Sequence, residues 1–94
     1  MKLKKEEIDK RLSRLSGWRY SNESIIKDYK LKDFQEAMGF VVKIALAAEK
    51  MEHHPDMTIE YNRVKIILTT HSEEGVTEKD FSLAEKIEKF LTAQ

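Results

Sequence analysis

The stretch EKMEHHPDMTIEYNRVKIIL, residues 49–68, decides the fold of this sequence. Pro55 disfavours helical geometry at the residue before it, so a helix that arrives from the N-terminal side should end just before His54. After the proline, residues 57–61 alternate between apolar and polar side chains, which is typical of a half-buried strand. The stretch therefore predicts a helix that is followed directly by a strand.

A hairpin and a last helix follow this strand. Asn tolerates positive φ, so Asn62-Arg63 is predicted as a tight turn, and residues 64–68 continue as a further strand. Thr77 is expected to cap the last helix, with Asp80 at its third position. The buried face of that helix is predicted to consist of Phe81, Ala84, Ile87, Phe90 and Leu91.

The N-terminal half of the chain predicts the remaining four elements. Asp33 can accept a hydrogen bond from the amide of Glu36, in a capping box that begins a helix. The four elements are a helix over residues 4–15, a strand over 18–20, a strand over 24–29 and a helix from Asp33 to about Glu52. The order αββαββα predicts an α+β protein whose four-stranded antiparallel sheet has three helices packed on one face.

Length and composition limit the functions that the sequence allows. A chain of 94 residues forms one domain, here residues 1–94, and its 17 basic and 17 acidic residues do not suggest the basic surface of a nucleic-acid-binding protein. The absence of cysteine excludes disulfides and a thiolate nucleophile. The longest apolar stretch, residues 40–48, is too short to cross a bilayer, and no secretory signal is visible. We expect a cytoplasmic protein that binds neither nucleic acid nor membrane.

The central helix carries more apolar surface than one sheet can cover. Two stripes run along it, one formed by Phe34, Met38, Val41, Ala45 and Ala48 and the other by Phe40, Ile44, Ala47 and Met51. A helix needs only one stripe to lie on its own sheet. We therefore expect helix 34–51 to associate with a second copy, in a homodimer or homotetramer. The alternative is that the extra stripe packs under the first or the last helix.

All three histidines fall between positions 53 and 71. His53 and His54 lie at the end of the central helix and His71 at the end of the fourth strand, and these two ends can meet at one edge of the sheet. Histidine ionises near neutral pH, so such a cluster could serve general acid/base catalysis. Each histidine alone could instead be a helix cap or a surface residue. A zinc site is a weaker alternative, because adjacent histidines project about 100° apart on a helix and no HExxH motif is present.

The spacing of these residues resembles the signature of the pterin-4a-carbinolamine dehydratase family. Glu49 is followed after three residues by His53-His54-Pro55, and then by an aromatic residue, a histidine and an aspartate at fitting distances. The matching positions are Glu49, His53, His54, Pro55, Tyr61, His71 and Asp80. The likeness extends over most of the chain, through Gly17-Trp18, the central helix, residues 61–64 and residues 69–71.

The resemblance implies a substrate and a set of site residues. Members of that family dehydrate 4a-hydroxy-tetrahydrobiopterin to quinonoid dihydropterin and water, without a cofactor or a metal, and they are commonly tetramers. By this likeness His53, His54 and His71 are the catalytic positions. We assign His53 and His71 as the acid/base candidates and His54 to binding of the substrate hydroxyl and to a share in the proton transfer, although the sequence does not determine this division of roles. The candidates for binding the rest of the pterin are Glu49, Glu52, Thr69, Thr70 and Asp80.

Several of these candidates have a second interpretation. The two glutamates could be solvent-exposed helix acids, and the two threonines could be present because threonine favours strands. Asp80 could orient His71 or cap the last helix. Trp18 and Tyr61 could stack on the pterin ring, although a core position is the more favoured interpretation of each.

A second class of function also remains open. Some animal relatives bind a homeodomain transcription factor as a dimerisation cofactor. The alternative to a lyase is therefore a homo-oligomeric binding module, or a transcription-factor dimerisation cofactor, without catalysis. The presence of all three histidines favours the enzyme.

Overall fold

The computed structural model describes residues 1–92 and confirms the predicted αββαββα order. Three helices and a four-stranded antiparallel sheet make up the fold, and a short 3₁₀ turn precedes the last helix. The elements are α1 (Lys5–Leu12), β1 (Arg19–Ser21), β2 (Ser24–Lys30), α2 (Phe34–Met51), β3 (Asp56–Glu60), β4 (Arg63–Leu68), the 3₁₀ turn (His71–Glu73) and α3 (Glu78–Thr92).

The sheet has the strand order β1-β2-β4-β3, and each neighbouring pair is antiparallel. Because successive side chains of a strand point to opposite faces, alternate residues of β2 and β4 face the same layer of helices. On that face, Ile25 is paired with Leu68 and Tyr29 with Val64. All three helices contribute to the buried core, through Ile8 of α1, Ala37, Phe40, Ile44 and Ala48 of α2, and Phe81, Leu83, Ala84 and Ile87 of α3.

Both ends of α2 satisfy free backbone groups of the helix. At its start, Asp33 accepts a hydrogen bond from the amide of Glu36 at 2.8 Å, as the capping box predicts. At its end, Glu52 adopts the left-handed conformation with φ of 55°, and the amide of His53 donates to the carbonyl of Ala48 at 3.0 Å. This Schellman-type end reverses the chain toward β3.

The first helix is shorter than predicted. It ends at Leu12, and residues 13–17 form turns instead of completing a helix to residue 15. Gly17 closes this segment with φ of 84°, which side chains rarely adopt, and a Cβ at this position would lie 2.8 Å from Cε of Lys27. The early turn returns the chain to the core at Trp18, which is buried and precedes β1.

The β3–β4 turn lies one residue earlier than predicted. Glu60 pairs with Arg63, so the two turn residues are Tyr61 and Asn62 rather than Asn62 and Arg63. Tyr61 takes the left-handed conformation, with φ of 54°. The side-chain amide of Asn62 donates to the backbone carbonyl of Leu31 at 3.0 Å, and the backbone carbonyl of Asn62 accepts from the amide of Leu31 at 2.7 Å. These two hydrogen bonds fix the conformation of Asn62, so the residue of the turn with positive φ is Tyr61.

The exposed apolar surface of α2 differs from both predicted stripes. The buried residues of α2 are Phe40 and Ile44 of one stripe, Ala48 of the other and Ala37 of neither, whereas Phe34, at 50% exposure, lies outside the core together with Val42 and Leu46, at 53% and 69%. Phe34 belongs to the first predicted stripe, whereas Val42 and Leu46 belong to neither. Within residues 1–92, no helix combines the length and apolar content that crossing a bilayer needs.

Candidate active site

The register of the sheet brings the histidine-bearing segments to one edge, the edge that the end of β4 and the start of β3 form. Asp56, the first residue of β3, pairs with Ile67 near the end of β4. His53 and His54 lie just before β3, and His71 is the third residue after β4. The end of α2 and the end of β4 therefore meet at this edge of the sheet.

His53 is the buried histidine of the three, with 8% of its surface exposed. Its Nε2 lies 2.5 Å from Oδ1 of Asp80, a residue that is entirely buried. An ionised carboxylate only accepts hydrogen bonds, so Nε2 carries the hydrogen and Nδ1 is left to give or accept a proton. The contact thereby fixes both the orientation of the imidazole and the nitrogen available for chemistry.

Asp80 joins three segments of the fold. Its second oxygen, Oδ2, accepts from the hydroxyl of Thr70 and from the amide of Thr77, each at 2.9 Å. Thr70 follows β4, Thr77 precedes α3 and His53 follows α2, so one carboxylate holds three chain segments together. Asp80 itself lies in the first turn of α3, where the helix dipole favours a negative charge.

Asp80 was expected either to cap the last helix or to orient His71. It caps the helix, and the histidine that it orients is another one. Asp80 accepts from the amide of Thr77 as part of the cap of α3, and it also orients an imidazole. That imidazole belongs to His53 rather than to His71. The physical reason is topological, because Asp80 faces the buried end of α2, whereas His71 begins the exposed 3₁₀ turn.

His54 and Glu49 form an exposed pair at the end of α2. Nε2 of His54 lies 2.9 Å from Oε1 of Glu49, and 64% and 80% of the two side chains are exposed. A pair as exposed as this contributes less than about 1 kcal/mol to stability. The fold therefore places little demand on either residue, and both are open to a ligand.

The remaining candidates have varied surroundings. Glu52 is exposed at the end of α2, and the hydroxyl of Thr69 donates to a carbonyl of the β1–β2 turn at 2.8 Å. Tyr61 lies at the opposite end of β4 from His71 and is largely exposed. Trp18 is a core residue, as its favoured interpretation predicts. Tyr61 is therefore too far along the strand to share a small ligand with His71 of the same chain.

Thr77 belongs to this site through a contact that the sequence did not reveal. Its hydroxyl lies 2.8 Å from the hydroxyl of Thr70. The spacing between Thr77 and Asp80 is a recognisable capping pattern. The pairing of the two threonines leaves no local signal, because only the turn between β4 and α3 brings them together.

The chemistry available at this edge is that of histidine and carboxylate. Among residues 1–92, no group of three or more histidine, cysteine, aspartate or glutamate side chains is arranged to hold a metal ion. The edge combines a buried histidine–carboxylate pair with two further histidines that are exposed. Fold and site together define a small α+β protein whose histidine site is suited to proton transfer.

Comparison with known proteins identifies this class more closely. The family model described as pterin 4 alpha carbinolamine dehydratase matches residues 1–90. The chain belongs to the pterin 4 alpha carbinolamine dehydratase family. A relative from Sulfolobus acidocaldarius, provisionally named a pterin-4-alpha-carbinolamine dehydratase, is 53% identical over 89 residues, which cover 95% of this chain and 98% of the relative.

Solved structures agree with the assignment of the fold. A crystal structure described as a transcriptional coactivator/pterin dehydratase from Brucella melitensis is 43% identical, with a TM-score of 0.92 over 95% of this chain and 97% of that one. A pterin dehydratase-like protein described as a RuBisCO assembly factor in the alpha-carboxysome is 15% identical, with a TM-score of 0.62 over 74% of this chain and 81% of that one. The second likeness concerns the fold alone.

Proposed function

We propose that this chain dehydrates 4a-hydroxy-tetrahydrobiopterin to quinonoid dihydropterin and water, as a step of tetrahydrobiopterin recycling in the cytoplasm. The contact between His53 and Asp80 carries this proposal, because a carboxylate that fixes one imidazole at an edge shared with two further histidines suits proton transfer. Membership of the family supports the class of substrate.

The proposed reaction needs one acid and one base. The acid protonates the hydroxyl on C4a, the C4a–O bond breaks, and the oxygen leaves as water. The electron pair of N5 forms the C4a=N5 double bond, and the base takes the proton from N5. We assign His53 and His71 to these two roles and His54 to binding of the hydroxyl. Each proton transfer can contribute roughly 10²–10⁴-fold to the rate.

The proposed substrate contacts follow from which polar atoms the fold leaves available. Glu49 uses Oε1 for His54, so Oε2 can accept from the 2-amino group or N3 of the pterin. Glu52 and Thr69 lie at the same edge and are further contact candidates, Thr69 as an acceptor only, because its hydroxyl hydrogen is donated to the carbonyl of Glu23. The dehydration involves no net oxidation or reduction, so the proposal includes no redox cofactor, and protonation of the leaving hydroxyl by histidine takes the role that a metal ion would otherwise have.

A stopped assay on enzymatically generated carbinolamine tests the function. The wild-type protein should accelerate the loss of the intermediate's absorbance, and His71→Ala should abolish the acceleration. His71 is exposed, so this variant should keep its fold. His53→Ala should also lose turnover, with circular dichroism as the check on folding. Lys50→Ala, an exposed change in the last turn of α2, is the control and should retain activity. Full activity in both histidine variants would refute the assignment.

The same proposal includes self-association through α2 as a homodimer or homotetramer. The exposed apolar side chains of Phe34, Val42 and Leu46 support it, because a surface of this kind on a small protein favours burial against another surface. Light scattering tests this point. The wild type should be larger than a monomer at micromolar concentration, and Leu46→Glu should shift it toward the monomer. A monomeric wild type would remove the claim.

A binding module is the second candidate, favoured by the same exposed face of α2. The Brucella relative is described as both a coactivator and a dehydratase. If binding were the only role, the purified chain would show no acceleration of carbinolamine loss, while Leu46→Glu would abolish capture of a partner protein. Activity in the wild type that His71→Ala removes would decide for the enzyme.

A further inference from the structure

We propose that Thr70 and Thr77 are positioning residues that set the tautomer of His53 through Asp80. The inference deepens the proposed function, since it concerns the histidine assigned there to proton transfer. Neither hydroxyl contacts His53; each acts through the carboxylate that does. The role differs from the substrate contact that the sequence suggested for Thr70.

The hydrogen bonds of this network have only one consistent set of directions. Oδ2 of Asp80 accepts from the hydroxyl of Thr70, which uses the single hydrogen of that hydroxyl. In the contact between the two threonines, at 2.8 Å, Thr77 must therefore be the donor and Thr70 the acceptor. The hydroxyl of Thr77 in turn accepts from the amide of Lys79 at 3.2 Å. The chain of donors begins at the backbone of α3 and ends on Asp80.

Because the network is buried, the loss of one hydrogen-bond donor should affect the others. Thr70, Thr77 and Asp80 are exposed by 5%, 7% and 0%, so bulk water cannot replace a lost donor without a rearrangement. With Oδ2 occupied by two donors, Oδ1 is the oxygen that faces His53. The carboxylate therefore cannot turn without breaking buried hydrogen bonds. Because Nε2 of His53 faces this fixed acceptor, the tautomer with hydrogen on Nε2 is favoured and Nδ1 is left for the reaction.

Isosteric variants separate this role from simple packing. Thr70→Val and Thr77→Val remove the hydroxyl and keep the shape, whereas Thr70→Ser and Thr77→Ser keep the hydroxyl. Thr70→Val removes a direct donor to Asp80, and Thr77→Val removes only the donor behind it. The effect on His53 should therefore be larger for Thr70→Val. Thr58→Val, on an exposed position of β3, is the matched control.

Nitrogen-15 NMR of the histidine rings gives a readout that needs no substrate. At alkaline pH, where neutral imidazole dominates, wild-type His53 should show one tautomer, with hydrogen on Nε2. Thr70→Val should introduce the second tautomer, Thr77→Val should introduce less of it, and both serine variants should match the wild type. His54 and His71 report within the same spectra, and their signals should not change.

Turnover gives the second readout. Thr70→Val should lower kcat on the order of tenfold while KM changes by less than about twofold, because the substrate contacts remain in place. Thr77→Val should lower kcat less than Thr70→Val does, even where it destabilises α3 more through the lost contact to Lys79. A merely structural role would make the loss of kcat follow the loss of stability instead.

Two outcomes distinguish this inference from the proposed function. If the valine variants leave His53 in a single Nε2–H tautomer, or if the wild type carries its hydrogen on Nδ1, the positioning role is wrong whatever the activity. If the tautomer responds as expected but the wild type shows no dehydration of carbinolamine, the positioning role stands and the proposed function fails.

Discussion

The helix α3 carries two carboxylates that each accept hydrogen bonds from three donors, and the donors differ in kind. Asp80 lies in its first turn, and Glu88 lies two turns further along. The first group, which we call the Asp80 cluster, consists of His53, Thr70, Thr77 and Asp80. The second, the Glu88 cluster, consists of Trp18, Lys27, Tyr29 and Glu88, all bonded through Oε2 of the glutamate.

The Glu88 cluster holds a fixed charge. Partial burial raises the pKa of Glu88, but hydrogen bonds from Lys27, Tyr29 and Trp18 lower it by more than burial raises it. The pKa of Glu88 therefore lies below its usual value. Burial, together with the neighbouring carboxylate of Glu88, raises the pKa of Tyr29. Lysine and tyrosine both keep their protons at neutral pH. No member of the cluster is expected to exchange a proton under those conditions.

The Asp80 cluster differs in the kind of its donors, which are an imidazole, a threonine hydroxyl and a backbone amide. A histidine takes the place that a lysine has beside Glu88, and histidine is the side chain whose charge changes near neutral pH. The arrangement of a carboxylate with three donors is otherwise similar, although Asp80 is fully buried and Glu88 only partly. We expect the carboxylate to supply rigidity in both clusters, and the presence of a histidine among the donors to decide whether the rigid group can also transfer a proton.

The strongest test of this contrast exchanges each carboxylate for its amide. Asp80→Asn should reduce dehydration of carbinolamine by roughly 10²–10⁴-fold, because the amide can no longer hold His53 in one tautomer and charge state. Glu88→Gln should leave turnover near the wild-type value. Both variants would be measured in the stopped assay with circular dichroism as the folding control. Equal losses in the two variants would show that the clusters do not differ in role.

The second test measures stability rather than turnover. Glu88→Gln should lower the free energy of unfolding by about 1–3 kcal/mol, since Lys27 and Trp18 lose a charged acceptor in a half-buried setting. Urea denaturation measures the change. Glu85→Gln, an exposed substitution on the same helix, is the control and should change stability by less than about 0.5 kcal/mol. A loss as small as that of the control would mean that the Glu88 cluster does not stabilise the fold.

The third test uses pH and has a definite sign. The pKa of Glu88 is lower in the folded protein than its ordinary value of 4.5, so its contribution to stability is present above that pH and is lost as the pH falls through the folded pKa. The stability difference between wild type and Glu88→Gln should therefore shrink on acidification below about pH 4.5. Urea titrations between neutral and acid pH measure it. A difference that grows on acidification would contradict the sign.

Local patterns predicted the elements that form the frame of the site. Pro55 and the alternating residues 57–61 indicated the break between α2 and β3, and the capping residues Asp33 and Thr77 marked the helix starts. These signals are local, because a cap or a proline acts within a few residues of itself. The meeting of the histidine-bearing segments at one sheet edge followed from the same element order.

Hydrogen-bond partners that are far apart in the sequence could not be predicted, for a physical reason. Asp80 could reach His53 or His71 as far as sequence spacing shows, and only the packing of α3 against the end of α2 decides for His53. The Glu88 cluster joins residues 59 to 70 positions apart, so no periodicity in the sequence signals it. The left-handed Tyr61 was missed because asparagine is the more usual residue at such a position, and Asn62 is next to it.

The smallest expected effect concerns the backbone that leads into each cluster. Glu52 precedes His53 with φ of 55°, and Glu23 precedes β2, which carries Lys27 and Tyr29, with φ of 63°. Glycine adopts this conformation without the cost that side chains meet, so Glu52→Gly and Glu23→Gly should each raise the free energy of unfolding by about 0.5–1 kcal/mol in urea.

Their effects on turnover should diverge, because Glu52 leads directly into His53, whereas Glu23 meets the proposed site only through its backbone carbonyl, which glycine retains. Glu52→Gly should lower kcat slightly by loosening the link to His53, while Glu23→Gly should leave kcat unchanged. Glu52→Asn, which also tolerates the left-handed conformation, separates the loss of the carboxylate from the gain in freedom. If Glu23→Gly lowered turnover as much as Glu52→Gly, the hairpin before β2 would be coupled to the chemistry. The proposed contrast between a Glu88 cluster that only stabilises the fold and an Asp80 cluster that also serves catalysis would then no longer hold.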